Sequence, residues 1–281
     1  MISPQLVGSL SGLVSSAFWG SGDFAGGIAS RKQSPYQVLA LASFSGVAVL
    51  LAMALAWGDP MPALPDVLWA AAAGVSGAIG IAGLYRALSM GNAAIVAPTA
   101  GVIGAIIPVA FEFARRNPPT PVQFLGFAAA LVGIWLVNQT RSESGLTQRR
   151  GFSLALVAGL WFGGFFILIG QVDTGGVFAP LVMTRGAAFG TAALFLLFRK
   201  ERLPALKSNP TAMLAGVLDA GGNVFYLLAT RYTRLDVATV LSSLYPAVTV
   251  ILASVMIKEV INARQWVGVF ICLAAVILIV I

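Results

Sequence analysis

Histidine is absent from the chain, and cysteine occurs once, at Cys272 inside the last apolar run. The first absence removes the commonest metal ligand and the usual general base at neutral pH. The second excludes an intrachain disulfide and leaves a thiol with no redox partner. Charge is scarce as well: 10% of residues are charged, against about 25% in ordinary globular domains. A soluble protein of 281 residues cannot cover its surface with so few charges. With 58% hydrophobic residues and a mean hydropathy of +0.91, the composition is that of a membrane protein. The formal net charge is +7. The basic residues nevertheless stand singly or in small groups between apolar runs, the pattern of topology signals rather than of a nucleic-acid surface. No cofactor, no metal and no nucleic acid is expected. The N-terminal MISPQLVGSLSG has no basic segment ahead of its apolar run, so that run is expected to be a span and not a cleaved signal peptide.

What the chain has in quantity is apolar runs. A helix crosses a bilayer with about 20 mostly apolar residues. Ten runs qualify, roughly 7–29, 36–57, 67–88, 93–115, 121–139, 151–170, 178–198, 211–230, 235–257 and 263–281. Turn-forming residues separate them, as in Arg31-Lys32 before Pro35 and Gly58-Asp59-Pro60. Only 140–150 and 199–210 exceed a tight turn.

The halves repeat. At a shift of 142, AGVSGAIG (73–80) lies on AGVLDAGG (215–222), Ala87 on Ala229, and Gln123 and Gly126 on Gln265 and Gly268. A shift of 143 places Gly8, Leu13, Val14 and Gly20 on Gly151, Leu156, Val157 and Gly163. A nearly fixed offset through separate segments marks an internal duplication. Each copy holds five spans, an odd number, so the second enters the membrane from the opposite side. The expected fold is an all-α integral membrane protein, ten transmembrane helices as two five-helix inverted-topology repeats. The first repeat covers 1–140, a connecting loop 141–150, and the second repeat 151–281. Two bundles related by a two-fold axis in the membrane plane can open to either side with nearly equivalent shapes, the logic of alternating access.

Two stretches carry a family resemblance. LSSLYPAVTVILASVMIKE (241–259), followed by Gln265 and Gly268, resembles the ninth helix and the entry to the tenth in the drug/metabolite transporter superfamily, in its ten-span EamA-type branch. LVSSAFWGSGDFAGG (13–27) is similar to the family's first helix with its Trp-Gly. The resemblance covers essentially the whole chain and is poor for substrate. The first half departs from the pattern: Glu259 falls opposite Asn117, Pro246 opposite Gly104, and Pro108 sits about one turn from the expected place. The two repeats are therefore not expected to be functionally equivalent.

Pro246 in the middle of the ninth run lacks an N–H and clashes with the carbonyl of residue 242, so a bend is expected there. Ser242 and Ser243, one turn earlier, can re-satisfy the freed backbone. The bend is either a hinge or a static kink; Pro98 and Pro108 offer the same in the fourth helix. Lys258-Glu259 reads as a polar helix end leading into the tenth.

Charges inside hydrocarbon are costly and face a cavity or one another. Asp219 lies mid-span, and its repeat partner is Gly77, so the charge belongs to one half. Asp219, Asn223 and Tyr226 fall at i, i+4 and i+7, one polar-aromatic stripe. Arg185, about two turns into the seventh helix, either pairs with Asp219 or holds a substrate carboxylate. Asp23 is the further candidate. Glu112 reads as an interfacial pair with Arg115 and Arg116, and Arg86 as a snorkelling side chain. The aromatics Trp19, Tyr85, Trp161, Tyr226 and Tyr245 either line a cavity or pack.

The expected protein is an alternating-access transporter of the plasma membrane. Its cavity is expected between helices 1, 3, 4, 6, 8 and 9, its partners being a small amphipathic metabolite, the lipid bilayer and protons. Export of amino acids is what the resemblance favours. Proton exchange would use Asp219 first and Asp23 second; otherwise the protein is a facilitator. Loops 1–2, 5–6, 7–8 and 9–10 carry eleven basic residues and the opposite side four, which places both termini outside the cytoplasm. The alternatives are a non-transporting scaffold or sensor, and an intramembrane enzyme, for which no nucleophile-base pair or metal set is visible.

Overall fold

Among the described residues stand ten helices, and their starts are written locally. The computed structural model describes residues 4–114, 120–138, 145–172, 176–233, 241–242 and 244–280. Among them are α1 (Pro4–Ala29), α2 (Pro35–Trp57), α3 (Leu64–Ser89), α4 (Ala93–Ala114), α5 (Pro121–Asn138), α6 (Gly145–Ile169), α7 (Phe178–Phe198), α8 (Pro210–Tyr232), α9 (Tyr245–Met256) and α10 (Ala263–Val280), with no strand. Proline opens several of these helices because its missing N–H costs nothing in a first turn. Ser34 and Asn209 cap α2 and α8 by accepting from the N–H groups of Gln37 and Ala212. The repeated Gln-x-x-Gly is a capping device. Gln123 accepts from Thr120 N–H and donates its own N–H to Thr120 Oγ1. Gln265 does the same with Asn262, 142 residues later.

Five helices, or most of their length, are long and apolar enough to cross a membrane: α2, α3, α6 from Thr147, α7, and α8 to Ala229. The apolar stretches of α4, α5, α9 and α10 are shorter. The chain is an all-α integral membrane protein built as two five-helix repeats.

Helix pairing obeys the inversion. α1 packs on α8 as α6 packs on α3. α3 meets α7 as α8 meets α2, and α4 meets α6 as α9 meets α1. α2 with α7 and α5 with α10 map onto themselves. Lipid supplies no hydrophobic drive between helices, so close contact has to come from small residues. Gly74 sits directly against the Thr184 carbonyl and Gly216 against the Ala42 carbonyl, both partners shifted by 142. Gly80 lies under Phe162 as Gly222 lies under Trp19. Gly126 and Gly133 let α5 lie against the backbone of α10.

Carboxylates tie the halves at both ends. Asp59 Oδ2 accepts from the N–H groups of Val177, Phe178 and Ala179 at 2.8, 2.5 and 3.1 Å, capping α7 from the end of α2. Glu201, 142 residues on, accepts the hydroxyl proton of Ser34 at the start of α2. These two clasps lie on opposite faces.

Pro246 corrects one expectation. It does not bend a continuous helix over 235–257. Leu241 and Ser242 are helical, Leu244 forms a turn, and α9 starts afresh at Tyr245 with Pro246 in its first turn. Residues 234–240 and Ser243 lie outside the described residues. Pro98 and Pro108 do stand inside α4.

Candidate functional site

A cavity with about 680 Å³ of empty space lies between the repeats. α1 gives it Trp19 and Asp23; α7 gives Thr184 and Arg185; α8 gives Asp219 and Asn223. α6 supplies Phe162, Phe165 and Phe166, α3 supplies Ile81 among small residues, and α9 supplies Tyr245. The charged and amide side chains come from α1, α7 and α8, and the phenylalanines from α6.

Arg185 and Asp219 form an ion pair, with side chains 12% and 21% exposed. Gly46 of α2 packs beside the Arg185 stem at ordinary contact distance; a Cβ there would lie 3.5 Å from Cδ. Asn223 Nδ2 donates to the Asp219 carbonyl at 2.7 Å and, more weakly, to Oδ2 at 3.4 Å. The i, i+4 stripe is thus closed by a hydrogen bond. Asp23 faces the same cavity and has no hydrogen bond or ion pair among the described residues. Among the described residues no three His, Cys, Asp or Glu side chains gather to hold a metal ion.

The predicted site residues divide. Asp23, Arg185, Asp219, Asn223, Trp19 and Tyr245 meet at the cavity. Tyr226 stands behind, its ring 5.7 Å from that of Trp19, which also meets Tyr245 edge-on at 6.4 Å. Tyr85 is buried with Ala29, Val38, Leu41 and Ala212, its ring against Gly26. Ser242 is buried and donates to the Gly12 carbonyl at 3.4 Å. Trp161 is not at the cavity: it is 37% exposed on the outer side of α6. Helix rotation puts its neighbour Phe162 inward instead. The expected lining by α4 is corrected too. Gly101 of α4 backs onto Pro246 and Tyr245, at 3.0 and 3.5 Å from a built Cβ, so α9 stands between α4 and the cavity. α7 takes its place. Phe162, Phe165 and Phe166 were missed, although they are the repeat images of Trp19 and Asp23 at shifts of 143, 142 and 143.

Beyond the spans, Glu259 reaches back across the fold. Its Oε1 accepts from the Ala93 N–H at 2.6 Å, where α4 begins. Burial raises its carboxyl above the ordinary range, against the pull of the Ala93 and Asn92 amides and of Arg31. The Glu112 side chain, Arg115 and Arg116 lie outside what is described. Arg86 is exposed at the end of α3, as a snorkelling side chain should be.

An inverted repeat with a polar, aromatic-walled cavity between its halves is the architecture of a membrane carrier. The EamA-like transporter family matches the chain twice, over residues 6–139 and 149–281. The chain belongs to that family and is a membrane transporter of the drug/metabolite type. A solved crystal structure shares the fold at 16% identity and a TM-score of 0.61, covering 96% of this chain and 95% of that one. Comparison with curated proteins returns no significant match.

Proposed function

We propose that the protein is an alternating-access exporter of small amphipathic metabolites at the plasma membrane, with amino acids as the first class to test. The cavity carries this reading. Arg185 suits a carboxylate, Asp23 suits an amine, and Phe162, Phe165 and Phe166 suit an apolar body. Substrate binding would trade the Asp219 partner of Arg185 for the substrate's own carboxylate. Asp219 is already neutralised by Arg185. Asp23 has no such partner, and proton exchange, if the carrier is an antiporter, falls to it rather than to Asp219. The basic loops favour a cytoplasmic location for loops 1–2, 5–6, 7–8 and 9–10, with both termini outside.

The test is counterflow in liposomes with a panel of radiolabelled amino acids, which needs no driving ion. Saturable accumulation that is lost in Arg185→Gln supports the reading. An intact, monodisperse protein that accumulates none of them sinks the amino-acid assignment. If transport is seen, Asp23→Asn should abolish its dependence on a proton gradient while leaving counterflow measurable. A gradient response unchanged in that variant would exclude Asp23 as the exchange group.

A further inference from the structure

A second, wider cavity opens at the end of the fold formed by loops 1–2 and 7–8. It holds about 1670 Å³ of empty space. It stacks on the central cavity along shared helices. On α3, Ala78 and Ile81 face the central cavity while Ala82 and Arg86 face the outer one; on α7, Ala188 faces the first and Arg199 the second. The outer cavity, or vestibule, lies beyond the inner one along these helices and shares no lining residue with it.

Its walls carry five cations, Arg31 and Lys32 from the end of α1, Arg86 from α3, and Arg199 and Arg202 from the end of α7. The one acid among them, Glu201, is engaged by the Ser34 hydroxyl. None of the five cations forms a salt bridge among the described residues, although Arg31 also acts on the Glu259 carboxyl. The Arg199 guanidinium lies 5.5 Å above the Tyr36 ring, which fixes its position at the rim. A topology signal needs basic residues on one face, but it does not need them drawn from three separate segments around one mouth. A second observation points to a ligand. Ser30 is 5% exposed and lies in the vestibule wall, and its hydroxyl has no hydrogen-bond partner. A buried hydroxyl without a partner is costly, and an oxyanion is an acceptor it can serve. Deeper in, Arg185 is the one cation lining the central cavity among the described residues.

We infer that the vestibule is an anion-capture site, and that it favours substrates with a carboxylate or phosphate head, net anions most strongly and zwitterions such as amino acids next, over cations. A concave mouth of one charge sign concentrates counter-ions and raises their rate of entry, an effect that weakens as salt rises. This inference rests on the transporter reading of the same cavity and names its substrate class. The oxyanion could belong to a free solute or to the headgroup of an anionic lipid.

Three probes with one indole body separate the charge classes: indole-3-acetate, tryptophan and tryptamine. Binding of each, radiolabelled, is measured on the full chain in phosphatidylcholine nanodiscs, and counterflow is measured in phosphatidylcholine liposomes. Indole-3-acetate should bind saturably, at least tenfold tighter than tryptamine, and inorganic phosphate should displace it. Arg86→Gln and Arg199→Gln should each weaken it three- to tenfold and flatten its salt dependence. Lys207→Gln, outside the vestibule, should not. If Arg86→Gln proves misfolded, Lys32→Gln carries the same expectation. If added phosphatidylglycerol displaces the probe at low mole fraction, the vestibule's oxyanion is a lipid headgroup and selection of an anionic substrate is overturned. Equal binding of the three probes, or no saturable anion binding, overturns the site, and tryptophan counterflow in the same preparation would leave the transporter reading standing. Anion binding without counterflow of any probe would keep the site and remove the transport reading.

Discussion

Asp219→Asn removes the carboxylate that Arg185 holds and leaves a guanidinium facing the cavity alone. Breaking a fully buried pair costs about 3–5 kcal/mol. Here the side chains keep 12% and 21% exposure beside a cavity, so water recovers part of the loss. The expected cost is nearer that of a hydrogen bond to a charged group, about 1.5–3 kcal/mol. Asn223 Nδ2 donates to Asp219; its amide oxygen can still accept from Arg185, but a neutral amide supplies no counter-charge. Arg185→Gln leaves Asp219 with only the 3.4 Å contact from Asn223 and should cost a similar amount. The double variant removes both charges and should lose less than the sum, with a coupling of about 1–2 kcal/mol. Denaturation in mild detergent with added SDS, followed by tryptophan fluorescence, measures all four corners of the cycle. Losses that add to within about 0.5 kcal/mol would show that the two charges do not interact, and the account of this ion pair would fail with them. Coupling in stability together with wild-type counterflow in all three variants would make the pair structural and remove it from substrate binding.

Three further outcomes follow from the packing and the clasps. Asp59→Ala should destabilise by about 1–2 kcal/mol, the value of an N-cap, because one oxygen serves three N–H groups at the start of α7; an unchanged melting temperature would remove the clasp. Gly216→Ala should cost about 1–3 kcal/mol by driving α8 off the Ala42 carbonyl, whereas Gly186→Ala, with open space around it, should not lower the melting temperature; equal effects would contradict the close crossing. Glu259 has a raised pKa in the fold, so its protonated form contributes stability that is fully present below the ordinary value of 4.5 and is lost as pH rises through the folded value. Glu259→Gln keeps an acceptor for Ala93, so the variant should gain on the wild type with rising pH; a gap in melting temperature that narrows from acid to neutral pH would refute this.

Much of the architecture can be read from the chain because spans need long apolar runs and because the duplication left its offset in separate segments. The Gln-x-x-Gly repeats are legible as capping boxes for the same reason: the partners are three residues apart. Pro246 is different. Proline suits both a kink and a first helical turn, and Leu244, which makes the turn, carries no glycine or asparagine to announce it. The Asp219–Asn223 bond lies within one helix and could be foreseen. The choice of Phe162 over Trp161 turns on helix rotation, to which a single run of mixed apolar residues is nearly indifferent. Comparison of the repeats would have settled it, since the image of Trp19 is Phe162. The place of α7 in the lining had no such signal. The image of Arg185 at a shift of 142 is Ser43, a small residue whose hydroxyl is buried without a partner.

The broadest helix pairings, α1 with α8, α5 with α10, α3 with α6 and α4 with α6, all join one half of the chain to the other. That has a consequence for synthesis. The first five helices emerge from the ribosome before the surfaces they pack on have been translated. Their backbones are satisfied within each helix, so they can wait in lipid as separate spans. Their glycine faces stay open until α6 to α10 arrive. The nascent first half is thus inserted well before it is folded, and tertiary assembly is confined to the last stages of translation.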